Sequence, residues 1–477
     1  MKLKEFFNIE KLLLENPELN LDVNDYNINV TANYGEKIHA DEVLQRYKSF
    51  DGAGKPTHLY FHIPICLYVC HFCNYVKKKA NGKEEELDLW VKLLIKESDF
   101  YLKQVPWIRS ADIQSVYFGG GTATALGLRR LNLILDHIKK NYQINENCEY
   151  TLEGNPDNFL HTEVEQAIAL GFNRFSLGVQ SLQNEVNKFT GRGHDAEMSL
   201  AAIKNLRASG KPFNVDMMFG LPYQTAAHVR KDIETLTGLG VSTITIYRLR
   251  NVDREKMGIG NLAAWNVPKI REKMIAQHLF PSLHETYLMR DAAVEALLDQ
   301  DYNPSPCGWW NAPNAYPNGN IPQVSKNKWE QFNSMIAFGP GAYGWLSGDS
   351  ADILQTHNEQ DINAYITQME HTEDRSPMAF GRFLQDTQAV ATALGFAVKA
   401  NQRISLKRFK KIYGVDLLID TPYKEILEEL LEKKFLAYDP EGYLKTTLAG
   451  EALHEEVISI YIHKKIGEFS LQTCTKF

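Results

Sequence analysis

The feature that most constrains the fold is a sixfold alternation of short β-branched or aromatic runs with longer helical patterns, beginning at residue 58. The runs are HLYFHI (58–63), IQSVYFG (113–119), CEYTLE (148–153), FNRFSLG (172–178), FNVDMMFG (213–220) and STITIYRL (242–249). Between them, apolar residues recur at helical spacing over 85–105, 128–140, 162–170, 196–209 and 225–239. Strands that alternate with helices build βαβ units and a parallel sheet. Six units with chemistry-bearing residues directly after the strands predict an α/β fold, a partial (β/α)6 barrel of the TIM type. Its functional face is the C-terminal end of the strands.

Flanking texture sets three domains. The turn chemistry of DGAGKP (51–56) closes an N-terminal extension, 1–55, that wraps the core. The core, 56–375, carries a helical pattern at 267–299 and then a loop-rich aromatic segment, CGWWNAPNAYPNGNIP (307–322). The remainder, 376–477, reads as a small helical or winged-helix-like domain, with helices at 378–398, 405–434 and 448–463 and a hairpin in FLAYDPEGYLKTT. Fifty-two Lys and Arg against 59 Asp and Glu give a net charge of −7, which excludes a polyanion-coating protein. The acidic run Glu425, Glu428, Glu429 and Glu432 in the last domain opposes a phosphate-facing surface, so no nucleic-acid partner is expected. No segment approaches the roughly 18 uninterrupted apolar residues of a spanning helix, and the charged start is no signal peptide. A cytoplasmic monomer without a membrane partner is expected.

Of six cysteines, Cys66, Cys70 and Cys73 fall within eight residues just past the first strand, while Cys148, Cys307 and Cys474 are scattered and carry no argued role. That is not a disulfide framework. Zinc sites take four ligands, often as paired C-x2-C knuckles, and no second pair exists. Iron–sulfur clusters are held by thiolates, normally four, so three leave one iron open for a cofactor or substrate. Three buried cysteines without a metal are the weaker reading of this spacing.

Other motifs surround that one. Gly119-Gly120-Gly121-Thr122, at a strand end, lets backbone approach a ligand and presents N–H donors to it. Glu153, Gln180, Arg192 and Asp216 lie at or after successive strand ends, a polar ring on the open face of the barrel. Gly339-Pro-Gly341-Ala-Tyr-Gly344 satisfies G-x-G-x-x-G, but no helical pattern follows, which argues against a dinucleotide site. Lys77, Lys78 and Lys79 read as a solvated surface, or as an attractor for an acidic substrate or reductant. Trp309, Trp310 and Tyr316 read equally as a lid over an aromatic substrate or as a loop packing its own rings.

The C-x3-C-x2-C spacing resembles the radical S-adenosylmethionine (SAM) superfamily. YFHIPIC (60–66), YFGGGTAT (117–124), LEGNP (152–156), FSLGVQSL (175–182), Gly191-Arg192 and NVDMMFGLPYQT (214–225) resemble its HemN-like, oxygen-independent coproporphyrinogen dehydrogenase subfamily. The resemblance implies a [4Fe-4S] cluster on Cys66, Cys70 and Cys73, with SAM on the open iron. Reductive cleavage of SAM there yields a 5′-deoxyadenosyl radical. It also implies that Tyr60, Phe72, Gly120, Gly121, Thr122, Glu153, Gln180, Arg192 and Asp216 hold SAM, and that an electron donor such as flavodoxin or ferredoxin serves the cluster.

Within the subfamily, porphyrinogen-oxidising members carry a fourth cysteine two positions after the third, where this chain has Tyr75. That absence, the long N-terminal segment and an aromatic, non-basic 305–345 region resemble the class C methyltransferase and cyclopropanase branch. The expectation is therefore two SAM molecules and transfer of a methyl or methylene group to an sp2 carbon of a small natural product. Two alternatives stand beside it. One is anaerobic porphyrin chemistry, either coproporphyrinogen III decarboxylation or heme-ring methylation. The other is a heme-trafficking protein, for which His62 and His71 invite a ligand role, although a structural role suits both better.

Overall fold

The computed structural model describes residues 9–17, 36–73, 75–249, 267–305, 308–316, 321–347, 351–371, 376–400 and 403–467. Cys307 and Cys474 lie outside the described residues. All six expected strands are present: β1 (Pro56–Ile63), β2 (Asp112–Gly120), β3 (Ile144–Gly154), β4 (Arg174–Gln180), β5 (Phe213–Phe219) and β6 (Thr243–Arg248). Each pairs in parallel with the next. The connecting helices are α1 (Glu84–Gln104), α2 (Leu128–Asn141), α3 (His161–Leu170), α4 (Ala196–Ala208) and α5 (Ala226–Gly238).

Residues alternate along these strands between two faces. The outward set, including Leu59, Phe61, Phe118, Leu152, Phe175, Leu177, Val215 and Ile244, joins Trp90, Leu94, Leu131, Ile138, Ile203, Leu206, Ile233 and Leu236 of the helices in one core. Phe61 is stacked between Phe118 and Phe338, with ring centroids 5.2 and 4.5 Å away. A side chain of that size contributes about 1.5–3 kcal/mol by burial. The inward set is polar: His58, Tyr60, Tyr117, Glu153, Arg174, Ser176, Asn214, Asp216 and Thr243. Its N-terminal end is plugged by 321–331, where Gln323 and Val324 donate backbone N–H groups to Glu149, and Asn327 donates to the Ser115 hydroxyl at 2.7 Å.

The sheet extends beyond the six. Among the described residues it has thirteen strands, ending in Glu36–His39 on one side and Asn303–Ser305 on the other, so the barrel stays open. Strand Ser334–Phe338 pairs in parallel with β1, and Tyr343–Leu346, Ile353–Asn358, Met378–Leu384 and Glu36–His39 follow antiparallel.

Several local expectations change. Residues 378–384, read as helix, form a strand, because MAFGRFL finds pairing partners on both sides and Gly381 lets Val43 of the helix Ala40–Ser49 press onto it. The helix of that segment starts only at Asp386. Both flanks thus contribute to the main sheet. Trp309–Asn311 is a strand antiparallel to β6 on one side and to Asn303–Ser305 on the other, and Trp310 is wholly buried, so the tryptophan pair belongs to the sheet and is not a lid. The G-x-G-x-x-G segment is the turn between Ser334–Phe338 and Tyr343–Leu346, with Gly339 and Gly341 at φ of 102° and 67°, and opens no helix.

The C-terminal domain has its own core of Leu394, Phe409, Ile426, Leu430, Phe435, Leu453 and Tyr461. Its hairpin pairs Leu436–Tyr438 with Leu444–Thr446. It docks through buried ion pairs, Arg248 to Glu456 at 2.5 Å and Arg290 to Glu451. No described helix is long and apolar enough to cross a membrane.

Candidate metal and cofactor site

The loop bearing the three cysteines is closed at its base by the chain itself. Ile65–Cys66 pairs in parallel with Lys78–Lys79, the Lys78 N–H donates to Pro64 O at 2.7 Å and the Ala80 N–H to Cys66 O at 2.9 Å. Inside the loop, the Lys77 ammonium donates to Cys73 O at 2.9 Å and Tyr75 O at 3.1 Å. Lys78 pairs with Glu86 at 2.6 Å. Two of the three lysines are therefore engaged locally, which corrects the picture of a solvated charged surface. On the far side, His71 donates its backbone N–H to Thr190 O and its ring Nδ1 to Phe189 O, each at 2.9 Å, docking the loop on the turn after β4. Phe72 packs on Val186, Leu221, Leu249, Met274 and Phe280.

Cys66 and Cys70 are buried, Cys73 is half-buried, and all three are free thiols. Burial pushes the Cys66 thiol up to about 12, partly opposed by a hydrogen bond with Thr122. Burial also raises Cys70, opposed by Arg192, and for both cysteines the neighbouring thiols add to the rise. The sulfurs thus lie within electrostatic reach of one another, in surroundings that keep the Cys66 and Cys70 thiols protonated until a cation displaces the protons. Among the described residues, no three Cys, His, Asp or Glu side chains converge on a single ion. Three thiols on one loop are a donor set that would hold an iron–sulfur cluster with one iron left open.

Arg192 joins this cluster loop to the barrel. Its Nη1 donates to Cys70 Sγ at 3.1 Å, and its Nη2 to Asn155 Oδ1 at 3.0 Å and to Gly178 O. Its Nε is buried without a partner, an orphaned donor beside the sulfurs that suits a carboxylate such as that of SAM.

The glycine run fits against the loop closely. A Cβ on Gly121 would lie 2.5 Å from Ile65 O and 3.0 Å from Cys66 Sγ. Gly120 has a φ of 111°, and a Cβ there would meet the His62 ring at 2.7 Å. The expectation that this run turns its N–H donors to a ligand is corrected for two of them. Gly121 donates to Ile63 O at 2.7 Å and Thr122 to Ile65 O at 2.8 Å, because the chain leaving β1 crosses the end of β2 with those carbonyls unpaired. The Gly120 N–H hydrogen-bonds to Glu153.

In the lumen, Tyr117 donates to Glu153 Oε2 at 3.0 Å, while Asp216 accepts from Ser176 Oγ at 3.3 Å and Asn214 Nδ2 at 3.1 Å. Burial, then the nearby Asp216, raises Glu153 to about 8. Burial also raises Asp216. Gln180 reaches the site from a bulge between Gly178 and Gln180, with its own φ at 72°. Tyr60 lies beside Tyr117, and its hydroxyl donates to His62 Nδ1 at 3.0 Å. His62 Nε2 donates to Val76 O at 2.7 Å, and burial lowers the ring to about 4. With both nitrogens spent and no charge, His62 is structural.

The fold therefore gathers the sequence-predicted residues around one mouth, with Phe72 turned into an apolar cluster beside it. It adds Tyr117, Asn155 and Arg174, which the motif reading passed over. Arg174 is wholly buried and donates to Thr151 Oγ1 at 3.2 Å and Asn214 Oδ1 at 2.5 Å. Strand alternation in FNRFSLG already puts Arg174 on the face of Ser176 and Gly178, and that was the available signal.

Residues 60–236 match the Radical SAM superfamily, a span that includes the three cysteines, the glycine run, Arg192 and Asp216. The chain has a mixed α/β fold with a radical SAM core over residues 60–236. A solved structure, that of coproporphyrinogen III oxidase from Escherichia coli, is similar with a TM-score of 0.72 at 19% identity, covering 94% of this chain and 98% of that one. Heme chaperone HemW of Bacillus subtilis is 24% identical over 405 residues, 84% of this chain and 98% of the relative. Oxygen-independent coproporphyrinogen III oxidase of Escherichia coli is 27% identical over 194 residues, 40% of this chain and 42% of the relative. The radical SAM family implies a [4Fe-4S] cluster and SAM.

These relatives overturn the expected natural-product methyl or methylene transfer, since they are named for heme and coproporphyrinogen. The features behind that expectation do not discriminate substrates. The described part of the aromatic 305–345 region is largely strands of the main sheet and the barrel plug, and part of the long N-terminal segment is a strand of the main sheet.

Proposed function

We propose that this chain is a radical SAM protein directed at a tetrapyrrole, with heme as its ligand. Cys66, Cys70 and Cys73 hold the cluster, and the residues of the mouth hold one SAM. The orphaned Arg192 Nε takes the SAM carboxylate, and Glu153, Asp216 and Gln180 accept from its amine and hydroxyl donors. When bound, the cluster and SAM supply a 5′-deoxyadenosyl radical after one-electron reduction by a flavodoxin- or ferredoxin-class donor. The chain's own part is orientation and exclusion of water. Glu153 keeps a proton up to about pH 8, which limits negative charge in the lumen.

The observation that carries heme is the similarity to heme chaperone HemW over 98% of that relative's length. The second reading, oxidation of coproporphyrinogen, is favoured by the match to the oxidase structure over nearly all of both chains, and disfavoured by Tyr75 at the fourth-cysteine position.

Anaerobically reconstituted protein titrated with heme is expected to give a saturable Soret band. With SAM and dithionite it should release 5′-deoxyadenosine. Conversion of coproporphyrinogen III to protoporphyrinogen, read by mass spectrometry, would establish the second reading instead. Neither a Soret band nor a tetrapyrrole product would overturn both.

A further inference from the structure

We propose that Arg192 is a positioning residue that sets the reduction potential of the cluster by hydrogen bonding to the Cys70 sulfur. This rests on the assignment of Cys66, Cys70 and Cys73 as cluster ligands, and gives Arg192 a role apart from holding SAM.

The contact is built from several sides. Nη1 donates to Cys70 Sγ at 3.1 Å, Nη2 is held by Asn155 Oδ1 and Gly178 O, and the guanidinium carbon stands 5.6 Å from the Tyr68 ring centroid. A guanidinium is a planar fork, so fixing one arm on two oxygens fixes the direction of the other. The backbones are tied together as well. The His71 N–H donates to Thr190 O, joining the residue after Cys70 to the turn that carries Arg192, and the Arg192 N–H donates to Asn187 O at 3.0 Å. The donor and the sulfur are therefore held in register by backbone hydrogen bonds as well as by side chains.

The electrostatic consequence has a definite sign. Reduction of the cluster takes up one electron from an external low-potential reductant, and no bond at Arg192 forms or breaks. The added negative charge spreads onto the ligating sulfurs, and a cationic N–H donor on one of them favours the reduced state. Removing the donor should make reduction harder. The Lys77 ammonium is also close, but its hydrogen bonds go to the Cys73 and Tyr75 carbonyls, so it stays in place when Arg192 is changed.

The test compares full-length wild type, Arg192→Gln and Arg192→Lys after anaerobic reconstitution. Iron and sulfide content is measured first, then a redox titration follows the electron paramagnetic resonance of the reduced cluster. At the potential where wild type is half reduced, the Gln variant is expected to have a reduced-to-oxidised ratio at least tenfold lower, a shift of about 59 mV for one electron. The Lys variant should fall between. Wild type carrying ¹⁵N-guanidinium arginine is expected to show a nitrogen coupling on the reduced cluster, which a purely structural role would not produce. A full iron complement with an unmoved potential in the Gln variant overturns the proposal. So does the absence of ¹⁵N coupling in wild type, a readout that holds even if the Gln variant loses its cluster. A wild-type chain that assembles no cluster overturns the ligand assignment itself, and this inference with it.

Discussion

The sharpest structural prediction concerns Gly121. Its φ is not in the left-handed region, so the test of Gly121→Ala is one of space alone. The added Cβ would stand 2.5 Å from Ile65 O, 2.8 Å from Ile63 O and 3.0 Å from Cys66 Sγ. Two of these neighbours are backbone carbonyls, which have no rotamer to yield. They are also the acceptors of the Gly121 and Thr122 N–H groups at 2.7 and 2.8 Å. Relief of the clash therefore means moving the end of β1 off the end of β2. Weakening two backbone hydrogen bonds costs about 1 kcal/mol each. Overpacking adds about 1–3 kcal/mol. The expected total is about 3–5 kcal/mol, a fall in melting temperature on the order of 5 °C for a chain of this size. Displacement of Cys66 should also cut iron content after reconstitution. Gly238→Ala is the control, since nothing lies within 4 Å of a Cβ there. If Gly121→Ala melts with wild type and takes up a full iron complement, the close approach of the two motifs is wrong.

Three further outcomes follow from buried polar groups. Glu97 accepts from Gly339 N at 2.7 Å, Asn358 Nδ2 at 2.7 Å and the Tyr365 hydroxyl at 2.5 Å, so Glu97→Gln sets an amide N–H against at least one donor. A loss of about 1–3 kcal/mol is expected, together with faster hydrogen exchange at 339–344. The folded-state value of Glu153 is raised to about 8, so the native chain retains a proton that the unfolded chain releases near 4.5. Stability of the cofactor-free protein should therefore fall as pH rises from about 5 to 8, by on the order of a few kcal/mol, and Glu153→Gln should flatten that slope in thermal melts. Arg248→Met removes a charged partner from the buried Glu456 carboxylate, and should cost about 3–5 kcal/mol, whereas Arg248→Met with Glu456→Leu should recover most of it in a double-mutant cycle.

The parts of the fold legible in the sequence are those whose signal is local and repeated. Each of β1 to β6 is flanked by a helix and buried on its outward face, so its apolar run stands out from its surroundings. Glu36–His39 and Met378–Leu384 carry no such signal. They are strands because they pair with each other across more than 300 residues, with Phe380 opposite His39 and Phe383 opposite Glu36. Local pattern in MAFGRFL suits a helix as readily, and the long-range partner decides. Trp309–Asn311 is similar, since three residues are too few to show a period of two, and pairing with Thr243–Thr245 on one side and Asn303–Ser305 on the other makes them a strand.

The site divides along the same line. Residue types at strand ends were legible, because a Gly run, a Glu or an Asp after a strand has few structural uses. The direction of their hydrogen bonds was not. Gly121 and Thr122 spend their donors on the carbonyls of Ile63 and Ile65, which makes the cysteine loop and the glycine run a single structural unit although some fifty residues separate them. Arg192 then ties that unit to β4 and to Asn155 after β3 through one side chain. The cysteine spacing alone specifies only that three thiols can share a metal centre. What holds them in place, and what electrostatic field they feel, comes from the ends of β1 to β4 meeting at one mouth. Substitutions at Gly121 or Arg192 should therefore change the chemistry of Cys66 and Cys70 more than substitutions within the intervening Leu67-Tyr68-Val69, whose side chains neither ligate the metal centre nor bridge the strands, with the one exception of Tyr68 beneath the Arg192 guanidinium.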